Sequence, residues 1–191
     1  PDEYSVEVQS IPPVVSEYFT LAAAKHNIVN LKVPTGTLQF ITTNVNGETI
    51  SLTKPSKYLI KKQGENDYLH QEYFENEQSY LVGKYDVDIL SLPPIQTTIE
   101  IKDKEQKVIA IPAPGFIHIK SKYPLHGAFF IKNVESLINI YSLKPNTTQE
   151  LLALQPGNYE LVFRFSKERK MMKTKTIAFT IKASTVSKIE L

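Results

Sequence analysis

Two aspartates two positions apart, Asp86 and Asp88, are the most evident carboxylate pair in the 191-residue chain. On a β-strand, residues at i and i+2 point to the same face, so both carboxylates would share one surface. Such a pair could serve glycoside hydrolysis or calcium binding. An earlier copy of the same phrase, however, carries Ser5 and Glu7 at the matching positions. This variation favours a polar outer strand face over a catalytic site.

The histidines and the absent cysteines offer little other chemistry. None of the four histidines stands at the spacing of a His-Glu-x-x-His zinc helix, and only His118 and His126 could share a face, across a hairpin. With no cysteine, the chain has no disulfide, thiol nucleophile or Cys-ligated zinc. Phosphate-binding loops, dinucleotide fingerprints and nucleophile elbows are also missing. We therefore predict no enzyme activity, no catalytic residue, no cofactor and no metal site.

The stretch DYLHQEYFENEQSY, residues 67–80, is rich in both aromatic and acidic side chains. It lacks the clean alternation of a core strand, and exposed rings can stack on sugars or form interface hot spots. We predict an interaction surface that comprises Tyr68, Tyr73, Phe74 and Tyr80. A carbohydrate-binding module is accordingly the alternative to a protein-binding one.

A second candidate surface is the basic stretch SKERKMMKTK, residues 166–175, which is predicted to form a hairpin tip or an arm. Its candidate contact residues are Lys167, Arg169, Lys170 and Lys173. The positive charge could draw this arm to phosphate, acidic glycans or lipid headgroups. Because no aromatic residue interleaves the lysines, the base-stacking platform is missing and we predict no nucleic-acid partner.

Charge is unevenly distributed along the chain. Residues 113–191 carry 12 Lys+Arg and 5 Asp+Glu, a net charge of +7, whereas residues 1–112 carry 10 and 15, a net charge of −5. Solvated strand faces of different composition explain this most simply, and docking onto an oppositely charged surface is the functional alternative. No run approaches the roughly 20 apolar residues that cross a bilayer, so we predict no membrane span.

The elements that must position these residues are almost all β-strands. Short alternating or β-branched runs such as TLQFITTNV, YDVDILSL and NYELVFRF recur throughout, separated by turn signals such as Asn46-Gly47. Several short strands per eighty residues indicate small two-sheet sandwiches. The predicted fold class is therefore all-β, with tandem Ig-like or prealbumin-like β-sandwiches.

An internal repeat organises these strands. YSVEVQSIPPV at 4–14 matches YDVDILSLPPI at 85–95, and FTL at 19–21 matches FTI at 179–181. The period of about 80 residues is longer than that of common solenoids, so each repeat should have its own core.

The repeat predicts three segments. Residues 1–33 are the C-terminal part of a preceding repeat or linker strands, residues 34–112 are the first sandwich, and residues 113–191 are the second. The chain thus begins within a repeat, which indicates a piece of a longer polypeptide.

A Gly-x-Tyr pattern recurs where a turn enters a strand, as Gly83-Lys84-Tyr85 and Gly157-Asn158-Tyr159. Tyrosine is amphipathic, so its ring can cap the core while its hydroxyl reaches backbone at the edge of the sandwich. The Pro-Pro pairs that follow the repeated strand should end it, because proline donates no ladder hydrogen bond.

Three phrases, GKYDVDILSLPPI, VIAIPAPGFIHI and LINIYSLKPNTTQELLALQPGNYELVFR, carry a family resemblance. They resemble the C-terminal region of Bacteroidetes-type proteins with a von Willebrand factor A-like domain followed by transthyretin-like or carboxypeptidase-regulatory-like sandwiches. The resemblance is strongest over residues 81–165. The Asp-x-Ser-x-Ser metal site of the A-like domain does not occur here, so no metal site is carried over.

The resemblance implies non-catalytic spacer and interaction modules in a periplasmic, cell-surface or secreted protein. Their partner would be another protein or an upstream domain of the same chain, with a glycan as the alternative. HGAFFIKN also resembles Gram-positive pilin and adhesin sandwiches that form Lys–Asn isopeptide bonds. Their last strand supplies the asparagine, which SKIEL lacks, so this second resemblance is the weaker one.

Overall fold

The structure of the chain, a computed structural model, describes residues 3–132, 136–167 and 173–191. These residues form eighteen β-strands and no α-helix, which confirms the all-β prediction. Among the described residues, no helix has the length and apolarity needed to cross a membrane.

The strands follow one another along the chain and are separated by turns. In order they are β1 (Glu3–Tyr4), β2 (Glu7–Val8), β3 (Val14–Val15), β4 (Phe19–Thr20), β5 (Thr35–Thr43), β6 (Lys57–Lys62), β7 (His70–Tyr73), β8 (Gln78–Leu81), β9 (Gly83–Ile89), β10 (Ile95–Ile101), β11 (Gln106–Pro112), β12 (Gly115–Lys120), β13 (Leu125–Lys132), β14 (Leu137–Ser142), β15 (Gln149–Leu154), β16 (Gly157–Phe165), β17 (Lys175–Ile181) and β18 (Val186–Glu190).

The chain divides into two compact units. Unit 1 comprises Pro1–Ile41, Ser51–Leu90 and Gln96–Ala110, and unit 2 comprises Thr42–Ile50, Ser91–Ile95 and Ile111–Leu191. Most of strands β5 to β11 belongs to unit 1, and strands β12 to β18 belong to unit 2.

Strands β5 to β11 form two sheets, with the orders β10-β9-β6-β7 and β11-β5-β8. Alternate residues of β5, β6 and β9 are buried, as expected for strands that cover a core with one face only. The fully buried side chains include several large aromatic and aliphatic ones: Leu38, Phe40, Tyr58, Ile60, Tyr80, Val87 and Ile89.

The seven strands of unit 2 form sheets with the orders β14-β13-β16-β17 and β15-β12-β18. Strand β12 is antiparallel to β15 and parallel to β18. The core of unit 2 is a cluster that includes Ile117, Leu125, Phe129, Leu154, Leu161 and Phe163. Taken in chain order, the seven strands pair in the same sequence as those of unit 1, so β5 corresponds to β12 and β11 to β18.

Two glycines occupy the matching first strands of these sandwiches for the same physical reason. A Cβ atom on Gly36 would lie 2.4 Å from the carbonyl oxygen of Lys102. A Cβ atom on Gly115 would lie 2.3 Å from the carbonyl oxygen of Lys182. Both strands therefore approach neighbouring backbone too closely for any side chain.

Residues 3–20 form a hairpin, in which β1 pairs with β4 and β2 with β3. Tyr4 lies opposite Phe19, with ring centroids 6.5 Å apart. In unit 2, Tyr159 of β16 lies opposite Phe179 of β17, with ring centroids 5.7 Å apart. Strands β1 and β4 of the hairpin thus carry a cross-strand Tyr–Phe pair like the one between β16 and β17.

Each repeated strand ends in a Ser-x-Pro corner, which we define as residues 10–13 and 91–94. The peptide bonds before Pro12 and Pro93 are cis. The hydroxyl of Ser10 donates a 2.7 Å hydrogen bond to the carbonyl of Pro12, and that of Ser91 donates one of 2.6 Å to the carbonyl of Pro93. The predicted strand endings are thus tight turns that a serine closes locally.

Candidate interaction surfaces

The structure separates the four aromatic residues predicted for one surface. Tyr68 and Tyr73 are exposed, by 48% and 40%, whereas Phe74 and Tyr80 are buried at 3% and 0% exposure. The prediction of exposed rings is therefore wrong for Phe74 and Tyr80, which are core residues of unit 1.

The burial of Phe74 and Tyr80 has a local cause. Phe74 follows the end of β7, where its amide donates to the carbonyl of Ser56, and its ring stacks on Phe40 with centroids 5.3 Å apart. Tyr80 lies on β8, and its hydroxyl is 3.2 Å from that of Tyr58. Burial raises the pKa of both hydroxyls, so each remains protonated at neutral pH.

Tyr73 and Tyr68 lie on the outer face of the sheet β10-β9-β6-β7. Tyr73 is directly opposite Lys57 on β6, whose Nζ is 4.6 Å from the centroid of the tyrosine ring. The Nζ of Lys61, four positions further along the same face of β6, is 5.5 Å from the ring centroid of Tyr68. Each exposed ring therefore has an ammonium group within cation–π distance.

The aspartate pair lies on this same outer face, as the alternation predicted. Asp86 accepts hydrogen bonds from the Thr98 hydroxyl at 2.7 Å and the Gly64 amide at 3.2 Å, which hold its pKa below the usual range. Asp88 accepts from the Tyr68 hydroxyl and, at 2.9 Å, from the Gln96 amide. The bond to Asp88 raises the pKa of Tyr68.

These contacts define the tyrosine face, which consists of Lys57, Lys61, Tyr68, Tyr73, Asp88 and Gln96. The two aspartates are held by hydrogen bonds from their own sheet, so they order the surface and fix the Tyr68 ring. The arrangement can offer two rings, two ammonium groups and side-chain amides to a partner.

The sequence singled out the tyrosines of this face but not the residues that order it. Lys57, Lys61 and Gln96 escaped notice because nothing in the chain order links β6 and β10 to residues 68–73. One signal was available, namely that lysines alternate with the buried Tyr58 and Ile60 and must therefore point outward.

A half-buried carboxylate lies on the inner side of β7. Glu72 accepts hydrogen bonds from the Tyr73 amide and the Asn76 side chain, both at 2.8 Å, and contacts His70 Nε2 at 3.3 Å. Partial burial raises the pKa of Glu72, but these hydrogen bonds and the nearby imidazole outweigh it, so the net pKa is lowered. The group is therefore ionised at neutral pH.

Only part of the predicted basic arm can be placed. Lys167 follows the end of β16 and is exposed, and its Nζ is 3.6 Å from the ring centroid of Tyr123. Lys173 precedes β17, and Arg169 and Lys170 lie outside the described residues. The described start of the arm is thus packed along an aromatic ring at the edge of unit 2.

His118 and His126, which could have shared a face across a hairpin, do not do so. His118 is on β12 and His126 on β13, and these strands belong to different sheets. The residues between them carry the chain from one sheet to the other instead of closing a hairpin within a sheet. In the described part of the chain, no group of three or more His, Asp or Glu residues could hold a metal ion.

No protein-family model and no curated protein matches the chain. Among solved structures, it is similar to the minor pilin GBS52 of Streptococcus agalactiae, with 11% identity and a TM-score of 0.41 over 83% of this chain and 94% of that one. It is also similar to a streptococcal ancillary pilin, with 11% identity and a TM-score of 0.39 over 100% and 76% of the two chains.

A further similarity is to the Bacillus anthracis TIE protein, with 14% identity, a TM-score of 0.33 and 83% of this chain covered. The match spans 34% of the TIE protein, about a third of its length. Similarities at this level assign no function to the chain. The association with a von Willebrand factor A-like domain stays a prediction.

Proposed function

We propose that the chain consists of non-catalytic spacer and protein-interaction modules of a secreted or cell-envelope bacterial protein. The observation that carries the interaction role is the tyrosine face, where Tyr68 and Tyr73 are exposed yet held by Asp88 and two lysines. Tyrosines with restricted side chains lose little entropy on binding and are typical of interface hot spots.

The spacer role is supported by the two sandwiches with the same order of strand pairing. We propose that residues 34–112 and 113–191 are tandem repeats of about 80 residues, and that residues 1–33 belong to a third. Limited proteolysis within residues 112–115 should leave a folded fragment 113–191, detected by its sigmoidal melting curve. If proteolysis instead degrades both halves at the same time, the two repeats are not independent modules.

The interaction role can be tested by photo-cross-linking in the organism that makes the protein. A benzophenone amino acid replaces Tyr73 in one variant and Leu151, which is 62% exposed in unit 2, in another. A cross-linked protein specific to position 73 supports the proposal. Identical products from both positions, or none from position 73, would count against it.

A glycan partner is the alternative, favoured by the presence of both exposed tyrosine rings on one sheet face beside the amide of Gln96. Sugars stack on such rings, and the amide would orient hydroxyl groups. A glycan array with wild-type chain and Tyr73→Ala tests this alternative. The control is Val108→Ala, which removes another exposed apolar side chain, from β11.

The link to an upstream von Willebrand factor A-like domain, and a periplasmic, cell-surface or secreted location, are the finer parts of the proposal. They rest on the sequence resemblance described above. Sequencing the coding region upstream of residue 1 tests them directly, because an A-like domain there would carry an Asp-x-Ser-x-Ser motif.

A further inference from the structure

Unit 2 carries an open cleft of about 460 Å³ on the outer face of the sheet β14-β13-β16-β17. Its side chains come from strands β13 and β16 and from the residue that precedes β17. They are His126, Ala128, Phe130, Val162, Arg164 and Thr174. The cleft therefore has an apolar floor with basic side chains beside it.

Strand register fixes the order of these groups. His126 lies opposite Arg164, and Ala128 lies opposite Val162. The intervening residues of β16, Leu161 and Phe163, point to the core. The cleft thus runs from a basic end, formed by His126 and Arg164, onto an aliphatic centre one residue pair further along.

Arg164 is partly buried, and none of the ion pairs found in the described residues involves it. The nearest acidic residue on its own strand face is Glu160, four positions away and beyond Val162. Since a bidentate carboxylate bond is the strongest contact that arginine makes, the basic end is suited to an incoming acidic group.

The corresponding face of unit 1 provides an internal comparison. There, strand β9 carries Asp86 and Asp88, whose oxygens accept hydrogen bonds from Thr98, Gln96 and Tyr68 of the same unit. On the unit 2 face, β16 carries Val162 and Arg164 as well as one acidic residue, Glu160. The sheet topology alone therefore does not create the cleft, which depends on the side chains of β13 and β16.

We propose that this cleft binds an acidic, extended peptide segment of a partner protein. A carboxylate of the segment bonds to Arg164, and an aliphatic side chain two positions along packs on Ala128 and Val162. Alternate residues of an extended chain lie roughly 6.7 Å apart, which matches the spacing of Arg164 and Val162 on β16. The net charge of +7 over residues 113–191 favours an acidic partner.

The test uses the full chain and a fluorescein-labelled peptide, Thr-Thr-Glu-Thr-Val-Thr-Thr, in fluorescence polarisation at 50 mM salt. The comparison peptide has Gln in place of Glu. We expect the Glu peptide to bind about tenfold more tightly than the Gln peptide, as a charge-assisted hydrogen bond implies. Arg164→Gln should abolish that difference.

Lys182→Gln is the matched control, because it removes one positive charge from an exposed position of unit 2 outside the cleft. It should retain the preference for the Glu peptide. Chemical-shift changes of Ala128 and Phe130 in the wild-type chain locate the peptide independently of any variant.

The proposal is overturned if the wild-type chain binds the two peptides equally, or if Arg164→Gln and Lys182→Gln weaken the preference for the Glu peptide by the same amount. Chemical-shift changes outside the cleft would also overturn it. Binding of anionic lipid vesicles without binding of the peptide would overturn it as well. The proposal rests on the interaction role of the chain but uses another surface, so failure here with a specific cross-link at position 73 would leave the proposed function intact.

Discussion

The hydroxyl of Tyr159 donates a 2.6 Å hydrogen bond to the carbonyl oxygen of Gln155. The amide of Gln155 in turn donates a 2.8 Å bond to the carbonyl of Leu92 in the Ser-x-Pro corner. The side chain of Leu92 packs against the core cluster of unit 2. One residue therefore joins the tyrosine to the corner through its two backbone polar groups.

The same relationship recurs in unit 1. Tyr85 donates a 2.8 Å bond to the carbonyl of Leu81, and the Leu81 amide donates a 2.9 Å bond to the carbonyl of Ile11. The sequence pattern predicted that each tyrosine hydroxyl would reach backbone, and both contacts confirm it. The residue that accepts each tyrosine hydrogen bond also donates its amide to a Ser-x-Pro corner. This second contact could not be predicted, because that residue and the corner are more than 60 residues apart along the chain.

Tyr159→Phe should lower the free energy of unfolding by about 1–2 kcal/mol, because the buried carbonyl of Gln155 loses its side-chain donor. Urea denaturation followed by fluorescence measures the change. Tyr123→Phe removes a hydroxyl that has no hydrogen bond in the described residues, so it is the matched control. Equal losses in the two variants would contradict a specific role for the Tyr159 bond.

The alkaline limit of stability should depend on the same hydroxyl. Burial raises the pKa of Tyr159 to about 12. Because the folded pKa exceeds the unfolded one, the stabilisation is fully present below about pH 10 and is lost as the pH rises towards 12. The stability of the wild-type chain should therefore fall more steeply between pH 10 and 12 than that of Tyr159→Phe. Parallel pH profiles would exclude this contribution.

Leu92→Ala tests whether the Ser-x-Pro corner stabilises unit 2. Loss of a partly buried leucine should cost about 1–2 kcal/mol, which is less than for a fully buried one. Amide hydrogen exchange should accelerate at Gln155, whose donor bond runs to the same residue. Leu90→Ala, at a position that is 50% exposed, should change neither quantity appreciably.

Gly115→Ala should destabilise unit 2 by about 2–3 kcal/mol, because the new methyl group would overlap the carbonyl of Lys182. Gly157→Ala is the graded control, since its Cβ would meet the Tyr159 ring at 3.4 Å, an ordinary contact distance. Thermal melting of the two variants ranks them. A midpoint for Gly115→Ala at or above that of Gly157→Ala would contradict the close-approach argument.

The strands and the corner tyrosines were predictable because each leaves a local pattern, either alternation or a glycine two residues before a tyrosine. The surface was only half predictable. Tyr68 and Tyr73 are exposed as expected, but Phe74 lies just beyond β7, where alternation no longer determines which way a side chain points. Its burial depends on Phe40, a partner 34 positions away, and such long-range pairings cannot be derived from local periodicity.

The acid limit of stability should depend on Glu72. Its folded pKa lies below the usual value, so its stabilisation is fully present above about pH 4.5 and is lost as the pH falls through the lowered pKa. Glu72→Gln should therefore flatten the acid side of the melting-temperature profile while keeping the packing. The carboxylate faces His70, so the comparison is made in a His70→Gln background as well, which removes the imidazole. If Glu72→Gln and the wild-type chain lose stability in parallel below pH 4.5 in both backgrounds, the three hydrogen bonds to Glu72 do not stabilise its ionised form.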